Sequence, residues 1–170
     1  MEDYIDVCVK EGYVKPSYYQ GQYNAVCRNH EKSLLPLLRK HDMHYVAYSP
    51  LAGGFLSGIF TQGTNVSGTR FEEGNQAGAF YKRMYDKEPM HCAIRQLQKG
   101  CEGHALKLTD AALRWLYHHS VLATGDGVIL GASKEDQVRQ NVDAMSKGPL
   151  PDDLLELFEQ MWKEVESEAP

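Results

Sequence analysis

The chain has 170 residues, 42% of them hydrophobic, and a formal net charge of −5, which is typical of a globular protein with one core. This composition excludes collagenous and disordered proteins, and the acidic balance argues against a nucleic-acid partner, which requires a basic surface. No apolar run reaches the roughly 20 residues of a membrane helix, and the acidic start lacks the features of a signal peptide. We therefore expect a cytoplasmic protein without a membrane partner.

The cysteine and histidine positions predict neither disulfides nor a metal site. The four cysteines are scattered without a Cys-x-x-Cys pair, so we expect reduced thiols. The seven histidines include no His-Glu-x-x-His motif and no second cluster at a zinc-like interval. We therefore predict no metal ligand in this chain.

The N-terminal part of the chain alternates between helical and strand patterns. Gly12 suits the position just after the first helix, and Pro36 fits the second helix only in its first turn. Aromatic residues and a short apolar run mark the two strands. The predicted elements are a helix over residues 2–10, a strand over 17–23, a helix over 33–41 and a strand over 45–48.

Regular periodicity disappears over residues 53–79, which predicts a long loop that is a lid, a binding loop or a disordered segment. Helical spacing then returns, although Gly100 weakens the first helix of this part. Thr109 is expected to cap the next helix, and Ser133 to open a capping box with Asp136. The remaining predicted elements are helices over residues 90–105 and 110–119, a strand over 128–130, and helices over 133–145 and 151–165.

This order of elements predicts an α/β protein with parallel strands and crossover helices. The apolar strands lack polar alternation, which indicates strands covered on both faces. A closed (β/α)₈ barrel needs at least about 200 residues, more than this chain has. The pattern therefore predicts part of a larger α/β unit.

Two strand-to-helix junctions are candidate binding segments. Residues 49–54 follow the second strand, and residues 131–133 follow the third. In parallel α/β folds, ligands bind beyond the carboxyl ends of the strands, where loop amides and helix N-termini face the ligand. Glycine permits close backbone approach, and Ser133 supplies a hydroxyl donor for phosphate. The alternatives are a simple turn at Gly53-Gly54 and a simple helix cap at Ser133.

Polar side chains accompany both junctions. Gln137, Gln140 and Asn141 share a broad helix face with Ser133 and can present amides to a polar heterocycle, although such side chains are usually just solvated. Arg70, in the long loop, can meet a phosphate through two hydrogen bonds. The chain lacks both common glycine-rich nucleotide motifs. From the residues alone, the prediction stops at an α/β protein with phosphate-binding loops.

Four ordered motifs resemble the aldo-keto reductases, most of all the aflatoxin-aldehyde reductase branch and more distantly the potassium-channel β subunits. They are KPSYYQGQYN at residues 15–24, AYSPLAGGFLSG at 47–58, AALRWLYHHS at 111–120 and VILGAS at 128–133. The resemblance implies a (β/α)₈ TIM barrel that reduces aldehydes and ketones with NADPH. In that fold, residues 1–170 would be the C-terminal half of the oxidoreductase domain, an incomplete barrel with strands six to eight and their helices.

The same resemblance implies a set of NADP(H)-binding residues. Gln20 corresponds to the glutamine that holds the nicotinamide carboxamide, and Tyr48 to the aromatic residue that stacks on the nicotinamide. Arg70 is similar to a loop arginine that closes over the cofactor. The segment that wraps the pyrophosphate would comprise Ser49, Pro50, Leu51, Ala52, Gly53, Gly54 and Ser57. The segment that grips the 2′-phosphate and the adenine would comprise Gly131, Ser133, Gln137, Gln140 and Asn141.

The chain also departs from the family pattern. The family's catalytic Asp, Tyr, Lys and His lie on strands two to four, and a Ser-Asn pair lies on strand five, so the resemblance implies no catalytic residue here. Ile59 stands where relatives usually carry a lysine near the phosphates. Loss of that charge should weaken NADPH binding by about 1–2 kcal/mol and leaves the choice between NADP and NAD open.

Two functional hypotheses follow. In the first, the chain is the cofactor-binding half of an NADP(H)-dependent aldo-keto reductase. Its partners would be NADPH, a small carbonyl substrate, and a missing N-terminal half or a full-length paralogue. In the second, it is a non-catalytic cofactor-binding remnant that acts as an interaction or sensing module.

Overall fold

The computed structural model describes residues 1–63 and 66–170; Thr64 and Asn65, within the predicted long loop, lie outside the described residues. The α-helices are α1 (Glu2–Glu11), α2 (Leu34–Lys40), α3 (Gln76–Tyr85), α4 (Glu88–Gly103), α5 (Leu108–His118), α6 (Glu135–Ser146) and α7 (Asp152–Val165). The β-strands are β1 (Tyr18–Gln22), β2 (His44–Tyr48) and β3 (Gly127–Val128), and 3₁₀ helices cover Asn29–Glu31, Ala52–Ser57 and Glu166–Glu168. Within the described ranges, no helix is long and apolar enough to cross a membrane.

The three strands form one open parallel sheet in the order β1-β2-β3, which confirms the predicted α/β class. Helix α2 connects β1 to β2, and α3 to α5 lie between β2 and β3 in the chain. Gln20 is opposite Val46, Gln22 is opposite Tyr48, and Val46 is also opposite Gly127. Because successive side chains of a strand point to opposite faces, these five residues share one face of the sheet.

The other face of the sheet carries the core. Tyr45 and Ala47 are fully buried there, and the ring of Tyr45 contacts Tyr23, which in turn contacts Trp115 of α5. Trp115 stacks on Phe158 of α7, with ring centroids 6.2 Å apart. Helices therefore cover this face of the sheet, and the burial of these aromatic rings contributes a large share of the hydrophobic stabilisation.

Helix α4 buries one apolar face, and it ends at Gly103, two residues before the predicted end. Gly100 lies where α4 packs on α7, and a Cβ at this position would come within 2.5 Å of Leu157. The glycine that lowers the helix propensity thus permits close contact between the two helices. The buried residues of the α4 face are Met90, Ala93, Ile94, Leu97 and Cys101.

The structure differs from the predicted elements in two places. Helix α3, Gln76–Tyr85, begins inside the segment expected to be a loop, because Asn75 caps it by accepting a hydrogen bond from the Gly78 amide. Strand β3 is shorter than predicted and starts one residue earlier, although the Ile129 amide still donates to the Ala47 carbonyl over 2.8 Å.

Two predicted helix caps were wrong. Helix α5 begins at Leu108, with Lys107 as the cap, because Leu108 belongs to the buried core; Thr109 lies inside the helix. Helix α6 begins at Glu135, with Lys134 as the cap. Ser133 precedes it, so the predicted capping box with Asp136 is absent.

Candidate functional site

Strands β1 and β2 bring two of the predicted cofactor residues together, Gln20 from the middle of β1 and Tyr48 from the end of β2. Gln20 and Tyr48 share one face of the sheet, and both line a pocket of about 220 Å³ with Met84 of α3. Burial, with a smaller effect of the nearby Tyr81, raises the pKa of Tyr48, so its hydroxyl is neutral at pH 7. The pocket therefore offers an amide and an aromatic ring to a flat ligand.

The segment after β2 is a tight turn with left-handed backbone. Ser49, Ala52, Gly53 and Gly54 have φ angles of 54°, 51°, 66° and 103°. Left-handed conformation costs a residue with a side chain about 1–2 kcal/mol, and such strain is often found at ligand sites. Of the other turn residues assigned by resemblance, Pro50 is buried, and Leu51 and Ser57 are partly buried.

Hydrogen bonds hold this turn in place. The Ala52 amide donates to the Ser49 carbonyl over 2.9 Å, and the Ser57 hydroxyl donates to the Gly54 carbonyl over 2.7 Å. The fully buried Asn24 donates from its side-chain amide to the Ser49 carbonyl over 2.9 Å. Burial together with these bonds gives the turn a defined shape.

Tyr81 of α3 lies directly on the turn. Its hydroxyl oxygen is 2.7 Å from the hydroxyl oxygen of Ser49, and its ring lies so close to Gly53 that a Cβ there would be 2.4 Å from a ring carbon. The guanidinium carbon of Arg70 is 5.1 Å from the centroid of the same ring. Three residues assigned to the cofactor by resemblance thus contact one tyrosine.

Tyr85, one helical turn after Tyr81, fixes α3 to the end of β1. The side-chain amide of Gln22 donates to its hydroxyl, and the Asn24 amide lies 3.5 Å from the same oxygen. Nearer the start of the helix, a Cβ at Gly78 would be 1.9 Å from the Arg70 carbonyl oxygen, so the glycine lets α3 pack against the Arg70 backbone. Both ends of α3 are therefore anchored beside the turn.

The segment after β3 is of a different kind. Gly131, Ser133, Gln137 and Gln140 are exposed, and Asn141 is only partly buried. The amide and the hydroxyl of Ser133 both donate to the side-chain oxygen of Gln137, over 2.9 Å and 3.1 Å. The structure brings these two predicted residues together, while Gln140 and Asn141 follow on α6.

The sequence reasoning missed Asn24, Tyr81 and Tyr85. Asn24 closes one of the quoted motifs but was given no function. The two tyrosines are four residues apart, which puts them on one face of a helix, and this spacing was the available signal. No helix is predicted there, because the first helix predicted after the loop over residues 53–79 begins only at residue 90.

The charged cluster around Asp126 stabilises the fold. Burial opposes ionisation of Asp126, but hydrogen bonds from Arg39 and from the Ala123 and Tyr45 amides outweigh it and lower the pKa of this carboxyl group. Among the residues that the structure describes, no group of three or more His, Cys, Asp and Glu side chains is arranged to hold a metal ion.

Comparisons with known proteins agree with the motifs. The sequence profile of the aldo/keto reductase family matches residues 2–163. An aldo-keto reductase of Pseudocercospora fijiensis is 38% identical over 164 residues, which cover 94% of this chain and 55% of that protein. Aflatoxin B1 aldehyde reductase member 2 of Mus musculus is 40% identical over 174 residues, which cover 96% of this chain and 47% of that protein. The chain thus spans about half the length of these curated relatives.

A solved structure shows the same fold in part. A glycerol dehydrogenase from Gluconobacter oxydans superposes with a TM-score of 0.63 and 22% identity, and the match covers 94% of this chain and 45% of that one. The resemblance stated from the four motifs is confirmed by the profile match. The chain belongs to the aldo/keto reductase family.

Proposed function

We propose that this chain holds NADP(H) as the C-terminal, cofactor-binding part of an aldo-keto reductase, which reduces aldehydes or ketones to alcohols. Members of the family are typically NADP(H)-dependent. Strands β1, β2 and β3 would be strands six, seven and eight of a (β/α)₈ barrel. When bound, the nicotinamide supplies the hydride, and the protein contributes binding and orientation. The cytoplasmic location stays a prediction.

The observation that carries this proposal is the arrangement of Gln20, Tyr48 and the turn that begins at Ser49. The amide and the ring share one face of the sheet, and the turn continues directly from β2. A nicotinamide needs hydrogen-bond partners for its carboxamide and a flat surface for its ring, and the adjoining phosphates need nearby donors. The residues present fit these requirements, with Gln20 for the carboxamide, Tyr48 for the ring, and Ser49 and Arg70 for the phosphates.

Binding is tested by titrating the purified chain with NADPH while following tryptophan fluorescence and thermal melting. We expect saturable binding with a raised Tm, because a ligand that binds only the folded form stabilises it. Gln20→Ala should weaken binding by about three- to tenfold through loss of the carboxamide hydrogen bonds. Tyr117→Phe is the control, because Tyr117 is exposed on α5. A flat titration of the wild-type chain at millimolar NADPH would contradict the proposal.

The reaction itself requires groups that the resemblance places outside this chain. We therefore expect no NADPH consumption when the chain alone is mixed with a reactive aldehyde. Co-expression with the N-terminal half of the mouse relative should give turnover, because that half would supply the acid-base residues. A stable complex that binds NADPH but gives no turnover would favour the non-catalytic alternative.

A further inference from the structure

The side chain of Tyr81 contacts three groups that would bind a phosphate in the proposed cofactor site. The hydroxyl of Ser49 bonds to the hydroxyl of Tyr81, with the two oxygens 2.7 Å apart. The ring covers the backbone at Gly53, where a Cβ would be 2.4 to 2.5 Å from three ring carbons. The cation of Arg70 lies over the same ring. A phosphate that contacts this hydroxyl, this backbone and this guanidinium together would therefore compete with the tyrosine side chain for the space beside the turn.

The surroundings allow the side chain to move without the helix. Helix α3 is held by its cap at Asn75, by the close contact of Gly78 with the Arg70 carbonyl, and by the bonds from Gln22 and Asn24 to Tyr85. Tyr81 itself is only partly buried, whereas Tyr85 is fully buried. Rotation about the side-chain bonds of Tyr81 would thus expose the turn while α3 stays in place.

We propose that Tyr81 is a gate of the phosphate site: it holds Ser49, covers Gly53 and stacks on Arg70, and a dinucleotide pyrophosphate displaces it. This inference rests on the proposed function. The exchange is favourable because a hydrogen bond from the Ser49 hydroxyl to a charged phosphate oxygen is stronger than a hydrogen bond between two neutral hydroxyl groups. Arg70 likewise exchanges a cation–π contact for an ion pair with the phosphate.

If Tyr81 is a gate, substitutions of the two residues that share this hydrogen bond should have opposite effects on the Kd for NADPH. Tyr81→Phe frees the Ser49 hydroxyl, so the Kd for NADPH should fall by about three- to tenfold. Ser49→Ala removes that hydroxyl, so the Kd should rise by a similar factor. If the bond served only to hold the turn in shape, both variants would loosen the turn and both would raise the Kd.

The experiment is a fluorescence titration with NADPH of the wild-type chain, Tyr81→Phe, Ser49→Ala and the control Tyr117→Phe, with thermal melting to establish that each variant folds. Tyr81→Leu is the second variant, because it removes both the hydroxyl and the aromatic face and should also lower the Kd. An unchanged or raised Kd in the Tyr81 variants that fold would overturn the gate. Absence of binding to the wild-type chain would overturn the proposed function, and the gate with it.

Discussion

The two ends of the proposed cofactor site are built in different ways. The turn over residues 49–57 is strained, partly buried and bonded to Asn24 and Tyr81, whereas residues 131–140 are exposed. In the exposed segment, Ser133 bonds to Gln137, only four residues away. Contacts within the protein therefore fix the shape of the turn without a ligand. The exposed segment instead lies on the surface around the start of α6. Substitutions at the turn should therefore affect folding and binding together, while substitutions at the exposed end should affect binding alone.

The largest expected difference comes from matched glycine substitutions. Gly53→Val should lower the free energy of unfolding by about 3 kcal/mol, because φ is 66° there and the new side chain would overlap the Tyr81 ring. Gly131→Val should stay within about 0.5 kcal/mol of wild type, because a Cβ there meets nothing within 4 Å. Urea unfolding measures both. Equal losses in the two variants would remove the distinction between the two ends.

A smaller effect is expected from Asn24→Ala. Its side chain donates to the Ser49 carbonyl over 2.9 Å and accepts from the Val26 amide over 3.1 Å, so the substitution leaves buried polar groups without partners. We expect a loss of about 2 kcal/mol in the free energy of unfolding, together with weaker NADPH binding. The control is Tyr117→Phe on the exposed face of α5. A stable Asn24→Ala chain with wild-type affinity would show that the turn does not depend on this residue.

The same contrast explains what the sequence could predict. The order of helices and strands follows from local periodicity, so the parallel α/β class was correctly predicted. The residues that shape the turn were not all recognised, because Asn24 and Tyr81 act over long sequence separations, 25 residues to Ser49 and 32 from it. Contacts of this kind depend on tertiary packing, which a single sequence does not display.

The two wrongly predicted helix caps also show where prediction from the sequence fails. Thr109 and Ser133 both have the residue type that favours a helix cap, yet each helix begins elsewhere. At α5, burial of Leu108 in the core determines where the helix begins. At α6, Ser133 instead bonds to Gln137, one of the residues assigned to the adenine end. Tertiary packing and a competing side-chain partner thus override the local preference.

The smallest expected effect is on the pH dependence of stability. This effect too is expected to differ between the two ends of the proposed cofactor site. Burial lowers the pKa of His30, which lines the pocket and contacts the Tyr45 hydroxyl over 2.7 Å, whereas residues 131–140 contain no histidine. As the pH falls below about 6.5, the unfolded chain takes up a proton at this position before the folded chain does, so stability is complete above that pH and decreases below it. In urea unfolding, the free energy of unfolding of the wild-type chain should decrease between pH 7.5 and pH 5.5. We expect this decrease to be smaller in His30→Gln. His119, whose pKa burial also lowers, should account for part of what remains. Tyr117→Phe, exposed on α5, is the control. An unchanged pH dependence in His30→Gln would show that His30 does not contribute to the acid sensitivity.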